Sequence, residues 1–134
     1  MDFDERFHVV IGDIGRRSAE SCWELLEDWR ALVDQIAAGY VDGLYDYENE
    51  LVVREWLERA RQDEPLATLE GWEAFSRQLE DSDTRLRDVL ESGVRVRDAG
   101  PWWRERLPRS AGPEFVEDAR SVFGVRIQLS PEVP

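Results

Sequence analysis

Few side chains in this sequence offer nucleophilic, acid–base or metal chemistry. Lysine is absent, and all 17 basic residues are Arg. That removes Schiff-base chemistry and the phosphate-loop lysine in one step. The one His, His8, lies in a segment of ambiguous pattern near the start of the chain. A catalytic triad needs a His held beside a nucleophile with a carboxylate behind it. An irregular arm is a poor place for that, so His8 is expected at a surface or an edge. The one Cys, Cys22, falls among Leu25, Leu26 and Trp29, with Glu20 and Glu24 nearby. A reactive thiolate wants a positive, partly exposed setting. Neighbouring carboxylates raise a thiol's pKa instead, so Cys22 is expected as a small buried hydrophobe. One His and one Cys also exclude most zinc sites, Cys–Cys redox motifs and an internal disulfide.

The carboxylates are no more specific. Asp46-x-Glu48-x-Glu50 resembles the opening of a calcium loop, but Leu51 stands where the loop needs Gly and Leu57 where it needs its closing Glu. Carboxylate-bridged iron sites in bundles add Glu-x-x-His, which does not occur. There is no Gly-x-Gly-x-x-Gly turn for a nucleotide. No catalytic residue, metal ligand or cofactor site is therefore expected. A magnesium site built from carboxylates alone is the one enzymatic alternative that these residues leave open.

Two features point toward binding instead. From Glu20 to Glu64 the chain carries a net charge of −9, and from Arg95 to Arg109 a net of +3. The acidic stretch reads either as the solvated side of amphipathic helices or as a face for a basic protein such as a nuclease toxin. The second feature is Pro101-Trp102-Trp103-Arg104-Glu105-Arg106-Leu107-Pro108-Arg109. Paired Trp with flanking Arg is the composition of an interface hot spot. It also suits stacking on bases, or a loop that plugs a helical core with indole. Asp42, Asp46, Glu48, Glu50, Trp102, Trp103, Arg104 and Arg106 are the candidate partner-binding residues.

The elements that would position them are helices. The chain has 134 residues, 42% hydrophobic, enough for a core in one helical domain spanning residues 1–134. Residues 18–38 form one apolar stripe, from Cys22 through Trp29 to Ile36, with Ser18 as N-cap and Gly39 as stop. Residues 40–61 continue the helical period with a phase shift, which predicts a break near Asn49. Residues 66–92 give a third stripe, with Trp72 expected to be buried and Asp81-Ser82-Asp83 as a polar gap. Pro113 and Gly124 bracket a further helix. Phe7, Val9 and Ile11 alternate, as do Val125, Ile127 and Leu129, so the termini could pair as two short strands. The expected fold is mainly α, a bundle of four to five helices with at most such a two-stranded element.

Gly39, Tyr40, Tyr47, Asn49, Leu51, Arg54, Leu57 and Glu58 spell Gly-Tyr-x6-Tyr-x-Asn-x-Leu-x2-Arg-x2-Leu-Glu, about twenty residues. This segment is similar to segments in small, acidic, mainly helical proteins of high-GC bacteria, and the resemblance carries no catalytic residue across. In size and charge alone the chain also looks like bacterial immunity proteins, which are small acidic toxin inhibitors.

The whole-chain net charge is −13. That opposes contact with nucleic acid and with anionic membranes. No apolar run approaches the ~18 residues of a membrane span. The start, Met-Asp-Phe-Asp-Glu-Arg, lacks the basic and apolar blocks of a signal peptide, and a lone Cys fits the cytoplasm. The expectation is a non-enzymatic, cytoplasmic, acidic protein-binding module, an immunity- or antitoxin-like inhibitor of a basic partner. The alternatives are a small enzyme with a carboxylate-only site and a structural, oligomerising helical protein.

Overall fold

The computed structural model describes residues 1–12 and 21–131, of which 67% are helical. Asp2 caps the first helix, α1 (Phe3–Ile11), by accepting from the Glu5 amide at 2.9 Å. The expected N-terminal strand is thus a helix. Phe3, Phe7 and Ile11 follow one another at four-residue spacing and are all buried, whereas Val9 is exposed. Helical spacing with a cap wins over a three-residue alternation.

Helix α2 (Cys22–Gly39) starts in a capping box in which the Ser21 hydroxyl accepts from the Glu24 amide while the Glu24 carboxylate accepts from the Ser21 amide. The expected cap, Ser18, lies outside the described residues. Cys22, Leu25, Leu26, Trp29, Leu32, Val33 and Ile36 are buried, as the stripe predicts. Gly39 ends the helix at φ 109°, a conformation that strongly favours glycine.

The second helical region is two helices, α3 (Leu44–Glu50) and α4 (Val52–Arg61). The break expected near Asn49 falls at Leu51, whose buried side chain ties both helices to the core. Asn49 is exposed, and no side chain caps α4. A 3-10 turn (Leu66–Thr68) then leads to α5 (Trp72–Glu91), which packs along α2 and runs unbroken through Asp81-Ser82-Asp83. Trp72 opens this helix partly buried, packed against the core beside Phe75 as a largely buried indole should be, though at the edge of the core and not at its centre. At the first turn of α5 its ring reaches the edge of the core. Trp56 is also half-buried, and Trp29 is fully buried.

After α5 the chain makes β1 (Val94–Arg95), the short helix α6 (Trp102–Glu105) and β2 (Arg106–Leu107), with Val94 opposite Leu107 in an antiparallel pair. Gly93 is required there, because a Cβ would sit 1.9 Å from the Leu107 carbonyl oxygen. Strand β3 (Ser110–Ala111), α7 (Pro113–Phe123) and β4 (Gln128–Leu129) follow. The expected C-terminal strand does form, but it pairs in parallel with β3 rather than with residues 7–11. The architecture is mainly α with two-stranded elements, and its buried apolar residues form one contiguous core.

Candidate functional site

The polar gap of α5 is the centre of a buried network. Asp83 is 2% exposed and Arg54, on α4, is 1% exposed. The Arg54 Nε donates to Asp83 Oδ1 at 3.0 Å and to Oδ2 at 3.2 Å, and its Nη2 donates to Oδ2 at 2.9 Å. Trp29 Nε1, on α2, donates to Asp83 Oδ1 at 3.0 Å. The last Arg54 nitrogen, Nη1, donates to Glu58 Oε1 at 2.9 Å, one helical turn on. Glu58 also accepts from Arg61 and Gln62. Arg61 above all, with help from Gln62 and Arg54, holds the Glu58 carboxyl down at about 2.

The paired indoles lie on this network. The Arg54 guanidinium sits 4.5 Å from the centre of the Trp103 ring, and Arg87 sits 4.3 Å from that of Trp102. Trp103 is 5% exposed, so it offers a partner almost no surface, whereas Trp102 is half-buried. A cleft of about 210 Å³ lies beside them. Its guanidiniums (Arg54, Arg61, Arg87) and carboxylates (Glu58, Glu80, Asp83) largely pair with one another. That leaves little charge to spend on a ligand.

The arginines around the indoles are also engaged. Arg104 Nε donates to Glu55 at 2.5 Å, and its Nη2 donates to the Glu48 carbonyl at 3.1 Å. Arg97 donates to the Glu48 carboxylate at 3.0 Å, and Arg106 to the Gly93 carbonyl at 3.2 Å. Glu48, Trp103 and Arg104 thus belong to one clamp that holds residues 97–104 against α3 and α4, while Arg106 ties β2 back to Gly93 beside β1.

The other candidates lie on a different surface. Asp42, Asp46 and Glu50 are exposed. Glu50 accepts from the Tyr40 hydroxyl at 2.6 Å. Burial first, then Glu50, Asp42 and Asp46, push the Tyr40 pKa up, so all three carboxylates act on one phenol. Helix α7 adds two more. Asp118 accepts from the Leu44 amide at 3.0 Å and caps α3, a service the Gly43 N-cap lacks the side chain to perform. A Cβ on Gly43 would lie 2.7 Å from Asp118 Oδ2 and 3.0 Å from Glu114 Oε1, so glycine makes room for both acids. Among the described residues, no Arg lies within ion-pair distance of Asp42, Asp46, Glu50, Glu114 or Asp118.

Comparison of the chain with protein-family models, curated proteins and solved structures finds no match.

Among the described residues no helix is long and apolar enough to cross a membrane. Nor does any group of three or more His, Cys, Asp or Glu among them stand where it could hold a metal ion. Cys22 is buried, and burial, with a further push from Asp4, raises its thiol far above the ordinary range. Sequence reasoning missed Arg54 and Asp83 at the centre of the clamp, and also Glu114, Asp118 and Tyr45 on the acidic face. Tyr45 stands off the Tyr40–Leu44–Tyr47–Leu51 stripe and is 81% exposed. Its off-stripe position was the available signal.

Proposed function

We propose that the chain is a non-enzymatic, cytoplasmic, acidic protein-binding module of immunity or antitoxin type, which engages a basic partner protein through the α3 face. The observation that carries this reading is the group of five carboxylates, Asp42, Asp46, Glu50, Glu114 and Asp118, with no arginine in ion-pair range among the described residues. Unpaired charge fixed on a rigid scaffold projects a field that speeds encounter with an opposite charge. Trp102 lies on the other surface, half-buried beside Arg87, and takes no part in this reading. Trp103 and Arg104 serve it indirectly, by fixing the segment that buttresses α3.

The test is a pull-down from the native host at low and at high salt, followed by association rates for the partner obtained. Wild-type association should slow steeply as salt rises, because charges more than ~8 Å apart are screened at physiological ionic strength. Asp42→Asn, Asp46→Asn and Glu50→Gln together should mimic high salt while changing dissociation much less. An association rate indifferent to both would refute the proposal.

A further inference from the structure

The acidic face also carries apolar surface that the fold does not use. Helix α3 buries Leu44 and Tyr47, yet Tyr45 between them is 81% exposed, and Val41, in the turn just before, is 56% exposed. The backbone that presents them is pinned from several sides. Asp118 caps the helix from α7. The Gly112 amide donates to the Tyr40 carbonyl at 2.7 Å. Tyr40, Tyr47 and Phe115 meet edge to face, with ring centres 5.1 to 6.1 Å apart. An exposed aromatic ring on a fixed backbone gives large contact area at low entropic cost, which is what an interface anchor needs.

We propose that Tyr45, with Val41 four residues before it, is the apolar anchor of this surface. Its occupant is a basic protein that presents an apolar pocket or stripe ringed by Arg or Lys. The proposal rests on the acidic-face reading above and adds the anchor to it. Charge selects the occupant. Asp42 follows Val41 and Asp46 follows Tyr45 in sequence, and among the described residues no arginine lies within ion-pair distance of either. They would repel a nucleic acid, and they would repel the same face of a second copy. A basic rim around an apolar centre satisfies both halves of the patch, matching the apolar-core, polar-rim anatomy of protein interfaces.

The test uses the full chain, labelled with nitrogen-15, and two defined probes. One is a short helical peptide with a leucine stripe flanked by arginines. The other is an arginine-only peptide of equal charge. Amide shifts should cluster at residues 40–50 and 114–118 with both. Tyr45→Ala should weaken the leucine–arginine peptide by about tenfold, the loss of one packed anchor, and the arginine-only peptide by less than about twofold. Tyr45→Phe should keep most of the affinity. Asp42→Asn with Asp46→Asn should weaken both peptides. If Tyr45→Ala leaves the leucine–arginine peptide unchanged while the neutralisations still act, the anchor is overturned and the acidic reading stands. If the shifts scatter over unrelated acids such as Asp2, Glu70 and Asp81, both fall. Tyr45 is exposed, so its variants should keep the wild-type circular dichroism, and a lost effect cannot be blamed on unfolding.

Discussion

The tryptophan segment and the α3 face have similar promise by composition, and the fold uses them in opposite ways. Around Trp102 and Trp103 the charges are consumed internally: Arg54 by Asp83 and Glu58, Arg104 by Glu55, and Arg97 by Glu48. On the α3 face, Asp42 and Asp46 are exposed with no arginine in ion-pair range among the described residues, and Tyr45 is bare. Net charge counts residues, but a partner meets only the charge that is left after pairing within the fold. By that measure the basic, aromatic stretch is a structural clamp, and the acidic helix is the surface with charge to spare.

The comparison breaks most easily at the clamp. Arg54→Ala leaves Asp83 buried beside Trp29 without its cation. That should cost about 3–5 kcal/mol in urea unfolding, enough to empty the folded state of a marginal domain. Replacing both partners with apolar residues, as in Arg54→Met with Asp83→Leu, should recover much of the loss. Trp103→Ala should cost a similar ~3–5 kcal/mol, and Trp102→Ala clearly less, because only Trp103 is fully packed. Equal costs for the two indoles would show that Trp103 is not the buried member of the pair.

Acid should open the same clamp. Glu58 is held at about 2 in the folded protein against an ordinary 4.5. A depressed carboxyl pKa stabilises the fold above the unfolded value, and that contribution is lost as pH falls from about 4.5 toward 2. Glu58 is only partly buried and its bonds to Arg61 and Gln62 face water, so screening reduces the loss to on the order of 1 kcal/mol. Glu58→Gln should be less stable than wild type at neutral pH and should flatten this part of the acid limb. Asp63, lowered by Arg6, should add to the wild-type slope in the same direction. Identical acid limbs for wild type and Glu58→Gln would remove Glu58 from the network.

How much of this could be read beforehand depends on range. The helix from Pro113 to Gly124, the stop at Gly39 and the break between α3 and α4 are written in neighbouring residues, and they were legible. The first helix was not read from the sequence: Phe3, Phe7 and Ile11 hold the spacing and Asp2 the cap, but the Phe7–Val9–Ile11 alternation overlaps them and suggests a strand or an irregular arm. The clamp is a different matter. Asp83 meets Arg54 across 29 residues and Trp29 across 54, and no local rule links such positions. The trace it left was the polar gap itself. A Ser and an Asp on an otherwise apolar stripe must either break the helix or find buried partners, and Arg54, one residue from the buried Val53, was a partner within the preceding helix. The acidic half of the candidate site lay within one short stretch, Asp42 to Glu50. Its share from α7, Glu114 and Asp118, arrives only through folding.

The smallest expected effect on stability is the one that most sharpens the contrast. Asp42→Asn, Asp46→Asn and Glu50→Gln touch a surface where like charges face water. Among the described residues Asp42 and Asp46 have no arginine to lose, and removing mutual repulsion favours the compact state slightly. Exposed substitutions of this kind stay within about 0.5 kcal/mol. Glu50 is the least innocent of the three, because it accepts from the Tyr40 hydroxyl at 2.6 Å, but the amide oxygen of Gln can accept in its place. The triple variant should therefore melt at or slightly above the wild-type temperature. Arg104→Ala, on the clamp side, removes two bonds from a half-buried guanidinium and should lower stability by about 1 kcal/mol. The pair of measurements assigns each region its role. A loss on neutralising the acids would mean that α3 needs them to fold. The α3 face would then be a second clamp, with no charge held in reserve for a partner.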